Sequence, residues 1–539
     1  DLSMPMQPRD PEQFPQAEWA LSAMFDCERR LGEYTRDYGM WVFGSGHNEW
    51  AMEEKRWRVN RTWRNTHHGS PRLAWLLYAR SGDPKYLDHA RRNTRHCMDL
   101  AFCHYSTPEF EGLEYPRQKI KGALTDYKGL VPWHSGGRLF DYNSMADFML
   151  YNYYVTGDRR GLDVVQQWTE AAVERFRKGR DHREGAGVLA TLVAAYQHGW
   201  DDRLLPLIGA HAEAMFASQY DDGSIEQWPQ YAPWLGRLHK LTGSPESEEC
   251  LRRWCDWYAT RLKSATDYGH AHLWPVAYGY HVFGREEYLA AVAGHVQIAL
   301  DSVYRDPGGF YDGYWTRGPS TDMGYLSQDL PFYLYAVAQH GEPVRPTYYG
   351  RQIMELAAGA FRIVALDEDD RAFTVTWQGR TREEPTRYAL TGPDGATIQE
   401  GVLEPETGPE KELVIEVPAD GKRGEYALAL EVGEYLSLQI PMTDLPREVL
   451  DTMHQQVIFV RELRACFMVP ADCERAELAL RQYLDPNVVC VYDRDGNLAG
   501  RRQWVGTEEA AVTMELTPEP EQRGQTWAIH FGDKTKRSL

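Results

Sequence analysis

Basic and aromatic side chains alternate in residues 55–72, KRWRVNRTWRNTHHGSPR, which contain six Lys or Arg and no acid. An arginine binds a carboxylate through two parallel hydrogen bonds, and the face of a tryptophan suits the apolar face of a pyranose ring. Arg64 and Asn65 are therefore candidate substrate-binding residues. His67 and His68 follow, and because adjacent helical residues point about 100° apart, we expect one of them to face the site. The segment predicts a binding site for a carboxylated sugar.

A second group of chemically active residues lies in the long segment 104–143. Its candidates for anion binding and proton transfer are His104, Tyr105, Arg117, Lys119, Lys121, Trp133, His134 and Asn143. We expect Arg64, Lys119 or Lys121 to neutralise the carboxylate of a substrate. One of the two histidines would work with a tyrosine as base and acid. For any single lysine or arginine, a solvated loop face is the alternative.

Three further predicted loops carry aromatic and polar side chains. The candidates are Trp228 in 218–228, His272 in 263–274, and Tyr311, Tyr314, Trp315 and Arg317 in 301–322. The two tyrosines are candidates for proton transfer, and the other residues are candidates for substrate binding. Long loops are uncommon in compact domains and are often functional.

The elements that must position these loops follow from a repeat of glycine turns. The turn glycines are at positions 82, 157, 199, 243 and 284, at intervals of 75, 42, 44 and 41 residues. About 42 residues hold two helices and two loops, so each unit is predicted to be a helical hairpin packed on its neighbours. The longer first interval reflects about 33 additional residues in segment 104–143.

The hydrophobic spacing places these hairpins along the first 340 residues. The predicted helix pairs are 141–155 with 158–177, 186–198 with 201–217, 228–242 with 245–262, and 272–282 with 286–300. Helices at 16–36 and 323–340 complete a sixth pair. Five or six hairpins close into an α/α toroid or remain an open solenoid, and the tryptophan-rich helices favour closure. In a toroid the loops between hairpins, with 178–185 among them, share one rim, so we expect a single cleft.

After residue 345 the hydrophobic period changes to two, as in FTVTW at 373–377, ELVIEV at 412–417 and WAIHF at 527–531. Gly, Pro and Asp separate these segments, which is typical of an antiparallel β-sandwich. We predict a multidomain chain with an α/α-toroid catalytic domain in residues 1–345 and an accessory β-sandwich in residues 346–539.

The charge distribution bears on the partner. The 539 residues carry a net charge of -20, and residues 351–539 contribute 21 basic and 34 acidic side chains to it. By contrast, 16 of 18 His and 15 of 18 Trp lie in residues 1–350, where we therefore expect the chemistry. The overall acidity argues against nucleic acid as a partner. No apolar run approaches the roughly 18 residues of a membrane span, which predicts a soluble protein.

The eight cysteines form no CxxC pair, and the histidines show no recognised metal-binding spacing. We therefore predict no cofactor and no catalytic metal. A structural calcium ion in an acidic loop is the alternative. The chain starts at Asp1 without a signal-like apolar stretch, so we expect a processed or truncated start. Its location stays open, and a secreted or periplasmic one is compatible with the sequence.

WRNTHHGSPRLAWLLYARSGDPKYLDHARRNTRHCMDLAFCHYS at 63–106 and YNYYVTGDRRGLDVV at 151–165 resemble the α/α-toroid domain of exo-rhamnogalacturonan lyase-like proteins. YGMWVFGSGHNEW at 38–50 is similar to the segment that leads into that domain. Two features depart from the family. Its members usually carry a β-barrel-like domain before the toroid, whereas only about 40 residues precede it here, and residues 141–144, DYNS, stand where a histidine-containing motif is expected. The resemblance implies a polysaccharide-degrading enzyme that acts on a uronic-acid-containing glycan.

We predict a polysaccharide lyase that removes the C5 proton beside a uronate carboxylate and expels the 4-linked sugar by β-elimination. A glycoside hydrolase on the same toroid is the alternative, and it needs two carboxylates about 5–5.5 Å or 6.5–9.5 Å apart. Its candidate acids are Asp126, Asp141, Asp222, Glu226 and Asp312. A non-catalytic solenoid that binds a glycan or a protein is the third hypothesis. The expected partner is an acidic polysaccharide or oligosaccharide.

Overall fold

A computed structural model of the chain describes the following residues: 4–35, 48–51, 56–59, 70–105, 121–122, 146–175, 182–225, 232–261, 273–301, 303–309, 312–313, 321–342, 344, 353–355, 359–365, 373–379, 385–403, 411–417, 424–431, 437–439, 447–450, 463–469, 471–481, 487–493, 495–504 and 511–532. Contacts between residues divide the chain into two compact units, Asp1–Tyr348 and Tyr349–Leu539.

The described part of the first unit is mainly helical. Its α-helices are α1 (Pro15–Thr35), α2 (Ser70–Ser81), α3 (Pro84–His96), α4 (Asp147–Thr156), α5 (Arg160–Arg175), α6 (His182–Gly199), α7 (Leu205–Ala217), α8 (Ala232–Thr242), α9 (Pro245–Arg261), α10 (Leu273–Phe283), α11 (Glu286–Asp301) and α12 (Thr321–His340). A short hairpin pairs β1 (Asn48–Ala51) with β2 (Arg56–Val59), and a π-helical turn, Cys97–Ala101, follows α3. The predicted helices therefore form, with boundaries that differ by a few residues.

The even-numbered helices form a closed inner ring. Each of α2, α4, α6, α8 and α10 packs on the next even-numbered helix, and α12 packs back on α2. Helices α3, α5, α7, α9 and α11 lie outside as the second helices of the hairpins, and α1 packs on α11. This closure excludes the open solenoid. Because every inner helix starts after an outer one ends, the loops between hairpins lie at the N-terminal ends of the inner helices.

The opposite ends of the inner helices share one turn geometry. The residue after each of α2, α4, α8, α10 and α12 is a glycine in the left-handed region, with φ between 58° and 79°, at positions 82, 157, 243, 284 and 341. After α6 that position is occupied by Trp200, with φ 52°, and its N–H donates to the Tyr196 carbonyl at 2.7 Å. The prediction of Gly199 as the turn residue is therefore wrong. Gly199 ends α6, and a tryptophan adopts a conformation that costs about 1–2 kcal/mol.

Helix α6 also begins earlier than the sequence pattern predicts. His182 starts the helix, whereas residues 178–185 were expected to be loop. Arg183 and Glu184 are good helix formers and extend the amphipathic run by one turn toward the rim.

The N-terminal segment ties the junction between the last and first inner helices. Arg80 at the end of α2 donates from Nη1 to Glu18 Oε2 of α1 at 2.8 Å, and from Nε to the Gln7 carbonyl at 3.0 Å. The Gln7 N–H donates to the carbonyl of Pro331 in α12 at 2.9 Å. Both side chains of the ion pair are buried. These contacts join α12 to α2 at the point where the chain makes no covalent connection between them.

The described part of the second unit consists of antiparallel strands. They are β3 (Ile353–Glu355), β4 (Gly359–Ala365), β5 (Phe373–Gly379), β6 (Thr386–Thr391), β7 (Thr397–Leu403), β8 (Lys411–Val417), β9 (Gly424–Glu431), β10 (Ser437–Gln439), β11 (Arg447–Leu450), β12 (Leu463–Val469), β13 (Ala476–Arg481), β14 (Asn487–Tyr492), β15 (Leu498–Trp504), β16 (Ala511–Leu516) and β17 (Gln525–Gly532). They form sheets in the orders β3-β10-β5-β8, β11-β4-β9-β6-β7, β12-β17-β14-β15 and β13-β16.

Two of these sheets share a core. Val489 and Trp527 of the β12-β17-β14-β15 sheet pack in one buried cluster with Met514 and Leu516 of the β13-β16 sheet. The strand period of two therefore predicts the antiparallel strands of the described residues correctly, and their arrangement as a β-sandwich stays a prediction.

No helix in the described part of the chain is both long and apolar enough to cross a membrane.

We expect Arg80→Ala to lower the free energy of unfolding of the helical unit by about 3–5 kcal/mol, because it leaves the buried Glu18 carboxylate without its cation. The matched control is Arg92→Ala, which removes an exposed pair with Asp88 and should change stability by less than about 1 kcal/mol. Urea unfolding followed by circular dichroism measures both variants. Equal effects would contradict the assignment of Glu18 and Arg80 as the tie at the ring junction.

Candidate functional site

Charged side chains from opposite sides of the ring meet in its interior. Arg72 of α2, Asp147 of α4, Arg237 of α8 and Asp329 of α12 interact with one another. Helices α2 and α8 are separated by two inner helices in either direction, and α4 and α8 are separated by α6, so these interactions cross the space that the ring encloses. We call these four residues, with Tyr151, the interior cluster.

The ion pair between Arg72 and Asp147 is fully formed. Arg72 donates from Nε to Asp147 Oδ2 at 3.0 Å and from Nη2 to Oδ1 at 2.8 Å. Tyr151, one turn along α4, donates its hydroxyl to Oδ2 at 3.1 Å. Burial opposes ionisation, but the two arginines and these hydrogen bonds outweigh it, so the pKa of Asp147 lies below its ordinary value. Asp147 is therefore a permanent carboxylate, and its side chain is only 1% exposed.

Arg237 adds a second cation to the cluster. Its Nη1 lies 3.7 Å from Asp147 Oδ2, and its guanidinium lies 5.8 Å from the centre of the Trp274 ring. Burial and the neighbouring Arg72 lower the pKa of Arg237 to about 10, which leaves it charged at neutral pH. Two guanidinium groups thus face one carboxylate that stays ionised. The protonation state of Asp329 therefore decides whether the cluster carries a net positive charge or is neutral.

Asp329 is the carboxyl of the interior cluster whose pKa is raised toward neutral pH. Burial raises its pKa to about 7, although the backbone N–H of Trp274 and the charges of Arg72 and Arg237 act in the opposite direction. The Trp274 N–H donates to Asp329 Oδ2 at 3.3 Å, and Asp329 itself is only half-buried. A carboxyl with these properties can exchange a proton at physiological pH. The two neighbouring guanidinium groups also make this part of the ring interior suitable for binding an anion.

An aromatic wall supports Asp329. Trp274 stacks on Tyr278 with ring centres 5.1 Å apart, and α8 approaches this pair closely at Gly236. A Cβ on Gly236 would lie 2.3 Å from the Trp274 ring, so only glycine permits this contact between α8 and α10. This close approach fixes the position of the indole ring.

Three of the predicted site residues lie in described parts of the rim. His104 Nε2 lies 2.8 Å from the Met98 carbonyl, an acceptor, so Nε2 donates this hydrogen bond. The side chain of Tyr105 is 73% exposed. The Gly122 N–H donates to the Cys103 carbonyl at 2.8 Å, so the backbone of Lys121 and Gly122 lies beside the His104 segment. The structure thus brings these three residues to one part of the rim.

The other predicted site residues lie outside the described residues. They are His67, His68, His134, Tyr311, Tyr314, Arg64, Asn65, Arg117, Lys119, Trp133, Asn143, Trp228, His272, Trp315 and Arg317. Their roles stay predictions.

Two of the acids proposed for a hydrolase have structural partners. Asp222 Oδ1 accepts the Ser224 N–H at 2.9 Å in a tight turn, and Asp312 Oδ1 accepts the Asp306 N–H at 2.9 Å. Both carboxylates hold loop backbone, as their turn-like sequences suggest. Asp126, Asp141 and Glu226 lie outside the described residues.

No family model and no curated protein matches the chain. Solved structures with a similar arrangement include a cellobiose 2-epimerase from Spirochaeta thermophila, an α-1,6-mannanase from a Salegentibacter species and an unsaturated glucuronyl hydrolase from a Bacillus species. Their identities are 11%, 11% and 14%, with TM-scores of 0.43, 0.40 and 0.38. The matches cover 62%, 60% and 61% of this chain and 99%, 99% and 97% of theirs. Values this low carry no function over to this chain.

The sequence pattern pointed to rim residues, whose roles stay predictions, and it missed the interior cluster. Asp147, Arg237 and Asp329 stand inside helices, where a charged residue is usually solvated. The available signal was a charged side chain in a helix that is otherwise apolar on several faces, as in SQDLPFYLYAVA around Asp329. Such a helix is surrounded by other elements, and its charged residue must then be buried.

In the described residues, no three His, Cys, Asp or Glu side chains form a group able to hold a metal ion. The expected lack of a cofactor, and the alternative of a structural calcium ion, stay predictions.

We expect Asp329→Asn to stabilise the folded chain as pH rises. The pKa of Asp329 in the folded state, about 7, lies above its ordinary value of 3.8, so its ionisation destabilises the fold progressively up to that pKa. The advantage of the Asn variant should grow by about 2–3 kcal/mol between pH 5 and pH 8. Urea unfolding at both pH values measures this difference, with Asp163→Asn on the exposed face of α5 as control. A pH-independent difference would contradict the raised pKa.

Proposed function

We propose that this chain is an enzyme that cleaves a uronic-acid-containing glycan by β-elimination, with the interior cluster as its proton-transfer site. The observation that carries the proposal is the position of Asp329, a half-buried carboxyl that titrates near neutral pH beside Arg72 and Arg237. Residues 1–345 would form the catalytic domain, and residues 346–539 an accessory domain. The substrate is an acidic polysaccharide or oligosaccharide, and neither nucleic acid nor a membrane is required.

The cluster can supply two requirements of β-elimination. A uronate carboxylate beside Arg237 would lose electron density to the cation, which acidifies the neighbouring C5. The ionised Asp329 then accepts the C5 proton. As the C5–H bond breaks, its electrons form the C4–C5 double bond, and the bond from C4 to the 4-linked oxygen breaks. Asp147 serves as a positioning residue, because its carboxylate holds Arg72 and lies within 3.7 Å of Arg237.

The leaving oxygen needs a proton from an acid at the rim. His104 is the described candidate, and His67, His68, His134, Tyr311 and Tyr314 are the others that the sequence predicts. The carboxylate of a longer substrate would also meet Arg64, Lys119 or Lys121 in this proposal. The resemblance of residues 63–106 to exo-rhamnogalacturonan lyase-like proteins agrees with a uronate substrate.

A glycoside hydrolase is the second candidate, because a carboxyl with a pKa near 7 is also suited to protonate a glycosidic oxygen. That mechanism needs a second carboxylate in reach of the sugar. Within the interior cluster the second carboxylate is Asp147, which is buried and bound by Arg72 and Tyr151. This arrangement favours the lyase.

The reaction product distinguishes the two enzymes. On a panel of acidic polysaccharides, a lyase releases an unsaturated uronide whose conjugated double bond absorbs in the near ultraviolet. We expect Asp329→Asn to lower kcat/KM by about 100-fold or more, because it removes the base. Asp163→Asn is the control and should retain activity.

New reducing ends without this absorbance would contradict the lyase and would support the glycoside hydrolase. A wild-type protein that releases no product from any member of the panel would favour a non-catalytic glycan- or protein-binding role for the ring.

The pH dependence of kcat/KM provides an independent test of the role of Asp329. If Asp329 is the base, only its ionised form reacts, so kcat/KM should rise with pH and level off above about 7. If Asp329 is the acid of a hydrolase, the same group makes kcat/KM fall through that pH. Stopped assays between pH 5 and pH 9 separate the two outcomes, and a profile without an inflection near neutrality would exclude Asp329 from proton transfer.

A further inference from the structure

We propose that the chain has a second saccharide-binding site, an aromatic patch on the turn end of the ring that stacks on uncharged pyranose units of a polysaccharide. The patch consists of Tyr153, Tyr154, Tyr196, His198 and Trp200. This binding is independent of the reaction proposed for the interior cluster.

The patch consists of two groups of rings at the C-terminal ends of α4 and α6. Trp200 packs edge-on against Tyr196, with ring centres 5.4 Å apart. The second group joins α4 to α6: the Tyr154 hydroxyl of α4 lies 2.9 Å from Nδ1 of His198 on α6. Tyr153 of α4 packs edge-on against the same imidazole, with ring centres 5.8 Å apart. The rings therefore hold one another in fixed orientations, which lowers the entropy lost when a ligand stacks on them.

The exposure of this patch is unusual for its residue types. Trp200 is 68% exposed and Tyr154 is 54% exposed, whereas Trp168, Trp254 and Trp274 of the same ring are almost fully buried. Neighbouring Val155 and Leu205 are also exposed, at 43% and 42%. Tyr153 and Tyr196 are half-buried beneath these exposed side chains. Exposed large apolar side chains at one end of two neighbouring helices are the kind of feature that marks a binding surface.

The backbone of Trp200 is strained without compensation from burial. Trp200 is the non-glycine residue with positive φ in the described part of the chain, and the equivalent position after α2, α4, α8, α10 and α12 is glycine. Glycine is also present next to it, at 199, yet the tryptophan occupies the left-handed position. Strained backbone conformations of non-glycine residues cluster at functional sites, which makes Trp200 the central residue of the proposal.

The charges around the patch favour an uncharged ligand. Arg203, three residues beyond Trp200, donates from Nε to Asp201 at 3.0 Å and from Nη2 to Glu170 at 2.8 Å. Its charge is therefore balanced locally, and an anionic partner would gain little from it. The indole and phenol faces suit the C–H face of a pyranose ring, while the tyrosine hydroxyls, His198 and the carboxylates supply hydrogen bonds to sugar hydroxyls.

The patch lies beyond the interior cluster, toward the end opposite the rim. On α4, Tyr154 is seven residues beyond Asp147 and three beyond Tyr151, which is about 10 Å and about 4.5 Å along the helix axis. A polymer chain bound here would keep the enzyme near further chains without occupying the reaction site.

The experiment is affinity electrophoresis of the full chain in native gels that contain galactomannan or hydroxyethyl cellulose, two uncharged probes. We expect the wild type to be retarded, and Trp200→Gly and Tyr154→Ala each to bind about three- to tenfold more weakly. Trp200→Gly also removes the left-handed tryptophan, so its Tm should stay unchanged or rise by up to about 4 °C. Weaker binding by this variant therefore cannot be attributed to unfolding.

Leu498→Ala, an exposed aliphatic residue of the second unit, is the matched control and should bind like the wild type. Trp200→Phe should restore part of the retardation. Two results would overturn the proposal: no retardation of the wild type in either gel, or equal retardation of Trp200→Gly. A concentration-dependent dimer in sedimentation velocity that Trp200→Gly abolishes would instead assign the patch to self-association. Each readout reports binding, so it is unaffected if the proposed β-elimination fails.

Discussion

The interior of the ring is organised by the ion pair between Arg72 and Asp147. Removing a guanidinium and a carboxylate from water is unfavourable, and only two parallel hydrogen bonds and the Tyr151 hydroxyl make the pair tolerable there. The pair joins α2 to α4 and places a fixed charge where a packed core would normally contain aliphatic groups. Arg237 and Asp329 take their electrostatic properties from it.

This arrangement explains why one carboxyl titrates near neutral pH while its neighbour does not. Asp147 accepts hydrogen bonds from Arg72 and Tyr151 and lies beside two guanidinium groups; together these outweigh the effect of burial, so it stays ionised. For Asp329, burial outweighs the backbone N–H of Trp274 and the charges of Arg72 and Arg237, so it binds a proton more readily. Two aspartates in one cluster thus acquire different roles from their surroundings.

The helical ring also separates two kinds of surface. Loops between hairpins gather at the N-terminal ends of the inner helices, near the charged interior. The opposite end consists of short turns that need a left-handed residue, and five of the six described turns use glycine. Trp200 is the exception, and it lies in an exposed aromatic patch rather than in the core. Because the other turns repeat the same glycine, the tryptophan at position 200 stands out as the exception.

The sequence by itself determined the helical hairpins, their spacing and the change to strands after residue 345, because these depend on local periodicity and on turn residues. It also pointed to the rim segment with His104, Tyr105 and Lys121. Tertiary structure alone decided that the ring closes and that Arg72, Asp147, Arg237 and Asp329 meet. These residues are up to 257 positions apart in the chain. The ionisation of each one depends on neighbours from other helices, which no local pattern specifies.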